Sequence, residues 1–479
     1  MQGMAETKAN HLLKGFRLPA FLMAVCLLLP YAWLALYQHP AADDFHFAVP
    51  TAAWGPLTTV MGQYESWSAR YTYVFFIAIN PLSWHSLWGY RAFSLLLLTL
   101  LPGSFWFFIS QLFEISASKQ RLLAVFCIAG FLGTVQTLPE AIYNASSYVP
   151  YMLGGAFFLF LQTFFLMAWR RGVYQHFNLK NIVLWTLQSV FIFLVIGFNE
   201  LFMALQLGFW AFLFFFRLFF KKSFSFPFLM FLVAAISGTL VILLSPATFY
   251  RMEASGSFDR TVSWVFLSSF WACLSFLGDI LMKPGLIVLF IFCTLLPGRT
   301  GLFTFSSKAF FLSLFTSLLV LLFCFFPSFK GEGMVQNHTL NLFQLLAICL
   351  VIWNIFVAKS AGIQLFSGLR YGDMPSSFYK WLFFTGLIFW MNPNQRTAVE
   401  DLISGEAMAY EKERSARMEY MEMAKGDSVW VEPYRHFPVS FLSSELGEGP
   451  GQWYDNLYAQ YFGKRFVHLK ETKENRKNP

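Results

Sequence analysis

Apolar runs of about 20 residues recur along this chain, with short polar segments between them. A run of that length forms a helix that crosses a bilayer core of roughly 30 Å. Backbone groups in lipid must be hydrogen-bonded within the segment, so strands or loops are excluded there. The pattern predicts an all-α polytopic membrane protein with about 11 transmembrane helices. We place these spans at residues 18–37, 88–112, 120–138, 148–169, 181–198, 201–220, 225–245, 284–298, 309–327, 339–358 and 378–391.

Two further apolar stretches, residues 71–86 and 263–282, are ambiguous. Counting either one as a full span reverses the loop charges that follow it, against the positive-inside rule. We therefore predict that both are interfacial or re-entrant helices, the first of them within a large first outer loop. The predicted span at 284–298 is short, and the alternative is a span that draws on residues 263–282.

Composition supports a membrane protein and excludes an ordinary soluble one. The chain of 479 residues is 57% hydrophobic and only 13% charged, with 61 Phe and 16 Trp. All six cysteines fall inside apolar runs without metal-ligand spacing, which indicates small buried side chains and no disulfide framework. The net charge of +8 is spread over loops rather than gathered in a stripe, which argues against a nucleic-acid partner.

The distribution of charge predicts which side of the membrane each loop faces. With a cytoplasmic N-terminus, 16 Lys and Arg fall on inner segments and six on outer loops before residue 391. Nine of the 12 acidic residues before residue 391 fall on the outer side instead. Acidic residues influence insertion weakly, so we expect this clustering to mark a polar cavity at the outer face.

The composition changes after residue 391, which divides the chain into a transmembrane domain (1–391) and a C-terminal domain (392–479). The second carries 14 of the 26 acids and reads as a helix followed by short strands, a small soluble α/β appendage. An odd number of spans places it outside. We expect a multi-pass protein of a bacterial inner (plasma) membrane with an extracytoplasmic, periplasmic C-terminal domain.

Asp43 and Asp44 follow the first apolar run directly, in the segment HPAADDFHF. Two adjacent carboxylates are costly to place beside a membrane span. Partial desolvation beside a like charge raises a carboxyl pKa and makes it a better general base. The pair is also a candidate ligand set for Mg or Mn, although the sequence makes no cofactor certain. The structural alternative is a helix N-cap with interfacial charge.

The segment QYESWSARY places Tyr64, Trp67 and Arg70 in the same outer loop. Arg70 is the only Lys or Arg of that loop, and a guanidinium can bind a phosphate bidentately or fix a carboxylate. The aromatic residues are spaced along one helical face. The alternative is an interfacial aromatic belt with a snorkelling arginine.

Two short outer segments carry further polar residues between long apolar runs. Glu140 and Asn144 lie in LPEAIYNASSYVPY, and Asn199 and Glu200 lie in IGFNELF. A glutamate at such a position is expected to face protein or water rather than lipid, and is a functional candidate by default. A structural ion pair is the alternative for Glu200.

Arg251, in SPATFYRMEASGSFDR, and His338, in GEGMVQNHTLN, complete the candidate substrate-binding set. The Gly- and Ser-rich sequence after Arg251 predicts a loop able to close over a substrate. Arg251 is a candidate phosphate ligand, whereas a single loop histidine is more often incidental.

The order of these motifs resembles the GT-C superfamily of membrane glycosyltransferases that use polyprenyl-phosphate sugars. The resemblance rests on ADDF, WSARY, GFNE and SPATFYR, and it covers roughly residues 15–390. It implies that Asp43 or Asp44 is the base that deprotonates the acceptor, or a cation ligand, and that Arg70, Glu200 and Arg251 line the donor cavity. His338 stands where the resemblance predicts a cationic Arg.

The function implied is transfer of a sugar from a polyprenyl-phosphate donor to a glycan, lipid or protein of the cell envelope, such as lipopolysaccharide. One alternative is a transporter or flippase of a lipid-linked sugar or another amphiphile, and another is a non-catalytic assembly factor. Alternating-access carriers often have internal repeats and mid-span ionisable residues. This chain shows no internal repeat, and its acids lie at span ends.

Overall fold

The protein is described here from a computed structural model that covers residues 2–41, 43–219, 225–296, 305–363, 374–442, 445–446 and 453–470. Nearly all of the regular structure is helical. Its elements are α1 (Gln2–Leu34), α2 (Asp43–Trp54), α3 (Pro56–Ser66), α4 (Tyr71–Ala78), α5 (Leu87–Leu112), α6 (Ala117–Thr134), α7 (Ala145–Tyr148), α8 (Gly154–Arg170), α9 (Leu179–Ile196), α10 (Glu200–Phe219), α11 (Phe226–Leu243), α12 (Pro246–Ala254), α13 (Val262–Leu281), α14 (Pro284–Leu295), α15 (Ser307–Gly331), α16 (Asn337–Ser360), α17 (Met374–Phe389), α18 (Pro393–Ile403), α19 (Glu406–Met423), β1 (Ser428–Val431), α20 (Trp453–Tyr461) and β2 (Phe466–Leu469).

Within the described residues, nine helical stretches are long and apolar enough to cross a membrane. A π turn at Val149–Leu153 joins α7 and α8 into one of them. The nine are Arg17–Leu34, Leu87–Leu112, Ala145–Arg170, Leu179–Ile196, Glu200–Phe219, Phe226–Leu243, Val262–Leu281, Ser307–Gly331 and Asn337–Ser360. Eight of them coincide with spans predicted from the sequence.

The structure differs from the sequence prediction at residues 263–282. This stretch forms the continuous helix α13, which has spanning length, whereas the predicted span at 284–298 is the 12-residue helix α14. The count of loop charges had argued against a membrane span here, but the apolar run forms a continuous helix that is long enough for one. The predicted spans at 120–138 and 378–391 correspond to α6, whose first turn is polar, and to a short apolar helix, Phe378–Phe389.

The stretch at 71–86 is broken in the structure, in keeping with an interfacial segment. It forms α4, of eight residues, and a 3-10 turn at Pro81–Trp84. At 1.5 Å per residue α4 is about 12 Å long, less than half of a bilayer core. Residues 43–86 therefore fold as short helices at the end of the bundle.

The bundle is built around α16. Of its apolar stretch, 78% is buried, against 22% for α15, whose large side chains point outward. Outward-facing Phe311, Leu312 and Phe315 give α15 an apolar exterior of the kind that lipid covers. Burial therefore makes α16 the central helix of the bundle, whereas α15 packs against the other helices on one side only.

Several connections between spans meet at one end of the bundle. The hydroxyl of Tyr64 donates to the carbonyl of Val241 at the end of α11 (2.9 Å), which fixes α3 there. The amides of Thr72 and Tyr73 both donate to the carbonyl of Gly197, between α9 and α10. This end of the bundle, which we call the polar end, thus assembles parts of the chain that lie far apart in the sequence.

The C-terminal segment packs on the polar end and covers α2. Phe45 of α2 contacts Tyr458 and Tyr461 of α20 edge to face, with ring centroids 5.3 and 5.1 Å apart. The hydroxyl of Tyr461 donates to the carbonyl of Leu82 (3.1 Å). The strands β1 and β2 that flank α20 in the sequence pair in parallel. The sequence prediction of a helix followed by strands thus describes only part of this segment.

Polar contacts strengthen the same docking. Arg91, at the start of α5, forms an ion pair with Glu411 of α19 at 3.1 Å. The side-chain amide of Asn394 donates to the carbonyls of Leu132 and Val135 at the end of α6. Buried amide and charged groups placed in this way need partners, so these contacts fix the C-terminal segment against the bundle.

Candidate functional site at the polar end of the bundle

Asp44 is buried, and its carboxylate is held by four donors. Its Oδ2 accepts hydrogen bonds from the Tyr90 hydroxyl (2.7 Å), the Ala41 amide and the Asn144 side chain, and its Oδ1 accepts from the Ser146 amide (2.9 Å). The space beside it is too small for a water molecule. Burial raises the pKa of Asp44 to about 6, against the lowering effect of its donors. Asp44 therefore ties α2 to α5 and α7.

Asp43 occupies the first turn of α2 but points away from these donors. Its side chain is exposed and makes no hydrogen bond or ion pair with the part of the chain that the structure describes. The surrounding protein raises the pKa of Asp43 by desolvation, and His46 and His338 oppose the shift. Asp43 thus carries an accessible carboxylate that favours its protonated form more than usual.

His46 lies one helical turn after Asp43 and shares its environment. One ring nitrogen of His46 is 3.1 Å from the side-chain amide nitrogen of Gln63 on α3. Desolvation lowers the pKa of His46, although the charge of Asp43 opposes the effect. A neutral imidazole accepts the Gln63 amide hydrogen, which fixes the ring beside Asp43.

Two arginines and two glutamates form an ion-pair network on the other side of α4. Arg70 contacts Glu200 through both Nε and Nη2 at 2.8 Å. Arg251 lies 3.8 Å from Glu200 and 3.5 Å from Glu332, which are longer separations. Burial disfavours the charged form of Arg70, but attraction by Glu200 raises the pKa of Arg70 above its usual value. Arg70 is therefore fixed, whereas Arg251 is loosely held.

The turn that caps α9 positions this network. Asn199 is buried and its side-chain oxygen accepts from the amide of Leu201 (2.8 Å), so it caps the first turn of α10. Glu200 consequently begins the helix with its carboxylate near the helix N-terminus, where negative charge is stabilised. Arg251 comes from α12, which starts with Pro246 at its first position.

Glu140 and His338 make a third polar contact at this end. His338 Nδ1 is 3.4 Å from Glu140, which also accepts from the hydroxyl of Thr137 (2.6 Å). Burial would raise the pKa of Glu140, but the hydrogen bonds from His338 and Thr137 bring it below its usual value. The ring of His338 packs on Tyr151, with centroids 4.6 Å apart.

Tyrosines connect the separate contacts into one cluster. Tyr151 lies close enough to Arg70 and Glu200 to be affected by both charges. Tyr73 is buried between Asp43 and Arg70, and burial together with the charge of Asp43 raises its pKa while Arg70 opposes the effect. The accessible carboxylate and the two guanidinium groups therefore belong to the same polar cluster.

Three of the residues proposed from the sequence have other contacts in the structure. The hydroxyl of Tyr64 donates to the carbonyl of Val241, and the carbonyl of Tyr64 accepts a hydrogen bond from the hydroxyl of Ser245 (2.5 Å). Asn144 caps α7 through its contact with the Ser147 amide and also holds Asp44. Asn199 caps α10. These side chains support the site, while Trp67 is exposed at the end of α3.

Three members of the cluster were not proposed as binding or catalytic residues from the sequence: His46, Tyr151 and Glu332. His46 carries a recognisable signal, because DDFH places it three residues after Asp43 on a helix. Glu332 is one of the nine acidic residues that the sequence places on the outer side. Tyr151 has no signal in a chain so rich in aromatic residues.

Among the residues that the structure describes, no group of three or more His, Cys, Asp or Glu side chains is arranged to hold a metal ion. The four donors on Asp44 further reduce its capacity to bind a cation.

The described residues define a multi-pass membrane protein with a polar cluster at one end of a helical bundle. No protein-family model, curated protein or solved structure matches the chain.

Proposed function

We propose that the protein is a membrane glycosyltransferase that moves a sugar from a polyprenyl-phosphate donor to a glycan, lipid or protein acceptor of the cell envelope. The observation that supports this most directly is the accessible Asp43 carboxylate in one cluster with two arginines. A base and a phosphate-binding group are the two elements that such a transfer needs.

In the proposed reaction, an acceptor hydroxyl or amine attacks the anomeric carbon of the donor sugar. The new bond joins the acceptor atom to that carbon, and the bond from carbon to phosphate oxygen breaks. Asp43 takes the acceptor proton, and its raised pKa makes it a better base than an ordinary aspartate. Polyprenyl phosphate departs with the electron pair.

The guanidinium groups stabilise the charge that develops on the leaving phosphate. Arg251, at 3.5 and 3.8 Å from its glutamates, can turn toward the phosphate at less cost than Arg70. Arg70 keeps Glu200 in place and contributes fixed positive charge. His338 and Glu140 border the cluster and are proposed to contact the substrate. Mg or Mn would assist through Asp43 if the transfer requires a cation.

The test is transfer from radiolabelled polyprenyl-phosphate sugars to a cell-envelope acceptor fraction by the purified protein. Asp43→Asn is expected to lower the rate by about 10²–10⁴-fold, the usual contribution of a general base. Glu65→Gln is the matched control, because Glu65 is an exposed acid of the neighbouring helix α3. Parallel reactions with Mg, Mn or a chelator measure the cation requirement.

Transfer that is unchanged in Asp43→Asn contradicts the assignment of the base. No transfer from any donor, combined with movement of the lipid-linked sugar across proteoliposomes, would support a transporter or flippase instead.

A further inference from the structure

A cavity of about 250 Å³ opens on the C-terminal segment, away from the polar cluster. It lies between the β1–β2 sheet and α20. Its lining combines aromatic, aliphatic and polar side chains: Trp430, Leu446, Asp455, Asn456, Phe466, Val467, His468 and Leu469. Concave sites with a few convergent polar groups are the usual form of small-ligand sites.

The pairing of the two strands builds an aromatic surface in this cavity. The parallel register places Trp430 opposite His468, and their ring centroids are 4.8 Å apart. Phe466 lies two residues before His468 on β2, and the two rings stack with their centroids 6.2 Å apart and an interplanar angle of 22°. Trp430 is 52% exposed and Phe466 is 45% exposed. The exposed ring faces of Trp430 and Phe466 are suited to contact with the apolar face of a ligand.

Helix α20 supplies the polar side of the cavity. Asp455 and Asn456 lie in its first turn and offer a carboxylate and an amide, which together provide hydrogen-bond acceptors and donors. The cavity thus has hydrogen-bonding groups on one side and aromatic rings on the other. The chemistry therefore fits a neutral ligand that has hydroxyl groups on its edge and an apolar face.

A pyranose ring has that chemistry, since its axial C–H bonds form an apolar face and its hydroxyls lie around the edge. We propose that this cavity binds a sugar residue of the acceptor glycan. The inference extends the proposed function, and rests on it for the identity of the glycan as acceptor.

The position of α20 connects the cavity with the transfer site. Tyr454, Tyr458 and Tyr461 lie on the face of α20 that packs on Phe45, two residues after Asp43. Asp455 and Asn456 are on the same helix but line the cavity. A glycan held there is tethered to the element that covers α2, which raises its local concentration near Asp43.

The experiment measures binding of neutral trisaccharides of glucose, galactose, mannose or N-acetylglucosamine to the full-length protein in lipid nanodiscs. Nanodiscs avoid detergents with sugar headgroups. Saturation-transfer NMR detects binding, and calorimetry gives the affinity. Trp430→Ala is expected to lower the affinity for the tightest-binding trisaccharide about tenfold, because one aromatic contact is lost. Asp455→Asn should weaken it as well.

Phe437→Ala is the matched control, because Phe437 is 42% exposed in the same segment and does not line the cavity. Its affinity for the trisaccharide should equal that of the wild type. Asp43→Asn should lower the rate of transfer by about 10²–10⁴-fold and leave trisaccharide affinity unchanged, which separates the two sites.

Absence of binding by every trisaccharide, or binding that Trp430→Ala does not weaken, overturns the inference even if transfer is observed. A further outcome is that the protein binds a trisaccharide, Trp430→Ala abolishes this binding, and no sugar is transferred from any donor. That result supports the cavity as a sugar site and contradicts the proposed transferase.

Discussion

Asp43 and Asp44 are adjacent in the first turn of α2, but their side chains have different environments. Asp44 faces inward, where Tyr90, Asn144 and Ser146 converge on its carboxylate. Asp43 faces out of the helix, next to His46. The sequence cannot decide between them, since the difference depends on donors that lie about 46 and 100 residues away. The structure favours Asp43 as the proposed base and Asp44 as a support.

Asp44→Ala is expected to destabilise the fold. The change leaves the buried Ser146 backbone amide without its acceptor, and an unsatisfied buried donor costs about 1–3 kcal/mol. The Tyr90 hydroxyl and the Asn144 side chain each lose one acceptor and keep the carbonyls of Tyr143 and Ala41, respectively. Thermal unfolding of the purified protein measures the effect. Asp43→Ala is the comparison and should unfold at the wild-type temperature, since its side chain is exposed. Equal losses in the two variants would contradict the distinction.

The raised pKa of Asp44 predicts a dependence of stability on pH. Its carboxyl has a pKa of about 6 in the fold and 3.8 as the reference value. The native state therefore holds a proton that the unfolded chain releases between these values, and the stability from Asp44 is gained as the pH falls from 7 toward 4. The full gain is about 3 kcal/mol.

Asp44→Asn lacks this titration, so the unfolding temperature of the wild type should rise relative to that of Asp44→Asn as the pH falls. The neighbouring Asp43 remains in both proteins and cancels in the comparison. A constant difference between the two proteins across this pH range would mean that Asp44 does not titrate there.

Arg70, Glu200 and Arg251 were identifiable from the sequence as costly or scarce charges at span ends. Their pairing was not, because Arg70 and Glu200 are 130 residues apart and meet only through the packing of α4 on the turn before α10. Asn144 and Asn199 were selected for their polarity, and their actual contacts are helix caps. Sequence reasoning thus locates the charges better than it assigns their roles.

At the scale of elements, length and apolarity in the sequence identify most of the helices that are long enough to cross a membrane. Helix α13 was assigned to the interface because of the loop charges around it, yet its sequence is a continuous apolar helix of 20 residues. The short helices α2, α3 and α4 follow local signals instead. Gly55 at positive φ followed by Pro56 ends α2 and starts α3.

The contact between α4 and the turn after α9 depends on a glycine. A Cβ on Gly197 would lie 2.3 Å from the ring of Tyr71 and 2.4 Å from the hydroxyl of Thr72. Gly197→Ala is expected to displace α4 and with it Arg70, so that both the unfolding temperature and the rate of sugar transfer fall. Overpacking of this kind typically costs about 1–3 kcal/mol.

Gly208→Ala on α10 is the matched control, because a Cβ there meets no atom within 4 Å. It should unfold at or above the wild-type temperature, since alanine favours a helix by about 1 kcal/mol over glycine. A Gly197→Ala protein with wild-type stability would show that α4 adapts to the added methyl group.

At the scale of the whole molecule, the structure places residues 43–86 and the C-terminal segment at the same end of the bundle. This arrangement agrees with the common sidedness expected from loop charges, but it comes from contacts such as that of Tyr461 with Leu82. The turn after α8 lies at the opposite end, since α8 rises about 26 Å over its 17 residues.

Cysteine labelling in intact cells tests this arrangement. In a Cys26→Ser background, which removes the exposed native thiol, an impermeant maleimide should label Glu65→Cys and Lys425→Cys from one side of the membrane. Gln175→Cys should react only after permeabilisation if the polar end faces outward, as proposed. Labelling of positions 65 and 425 from different sides would contradict the docking of the C-terminal segment.

The hydrogen bond between Tyr461 and Leu82 joins residues separated by 379 positions. At about 5–20 residues per second, a ribosome adds Tyr461 roughly 20–80 s after Leu82. Until α20 has been translated, Phe45 of α2 lacks its contacts with Tyr458 and Tyr461. A polypeptide truncated before α20 would keep every candidate catalytic residue and still lack the cover over α2. Biogenesis of this site is therefore completed by a segment that is translated long after α2.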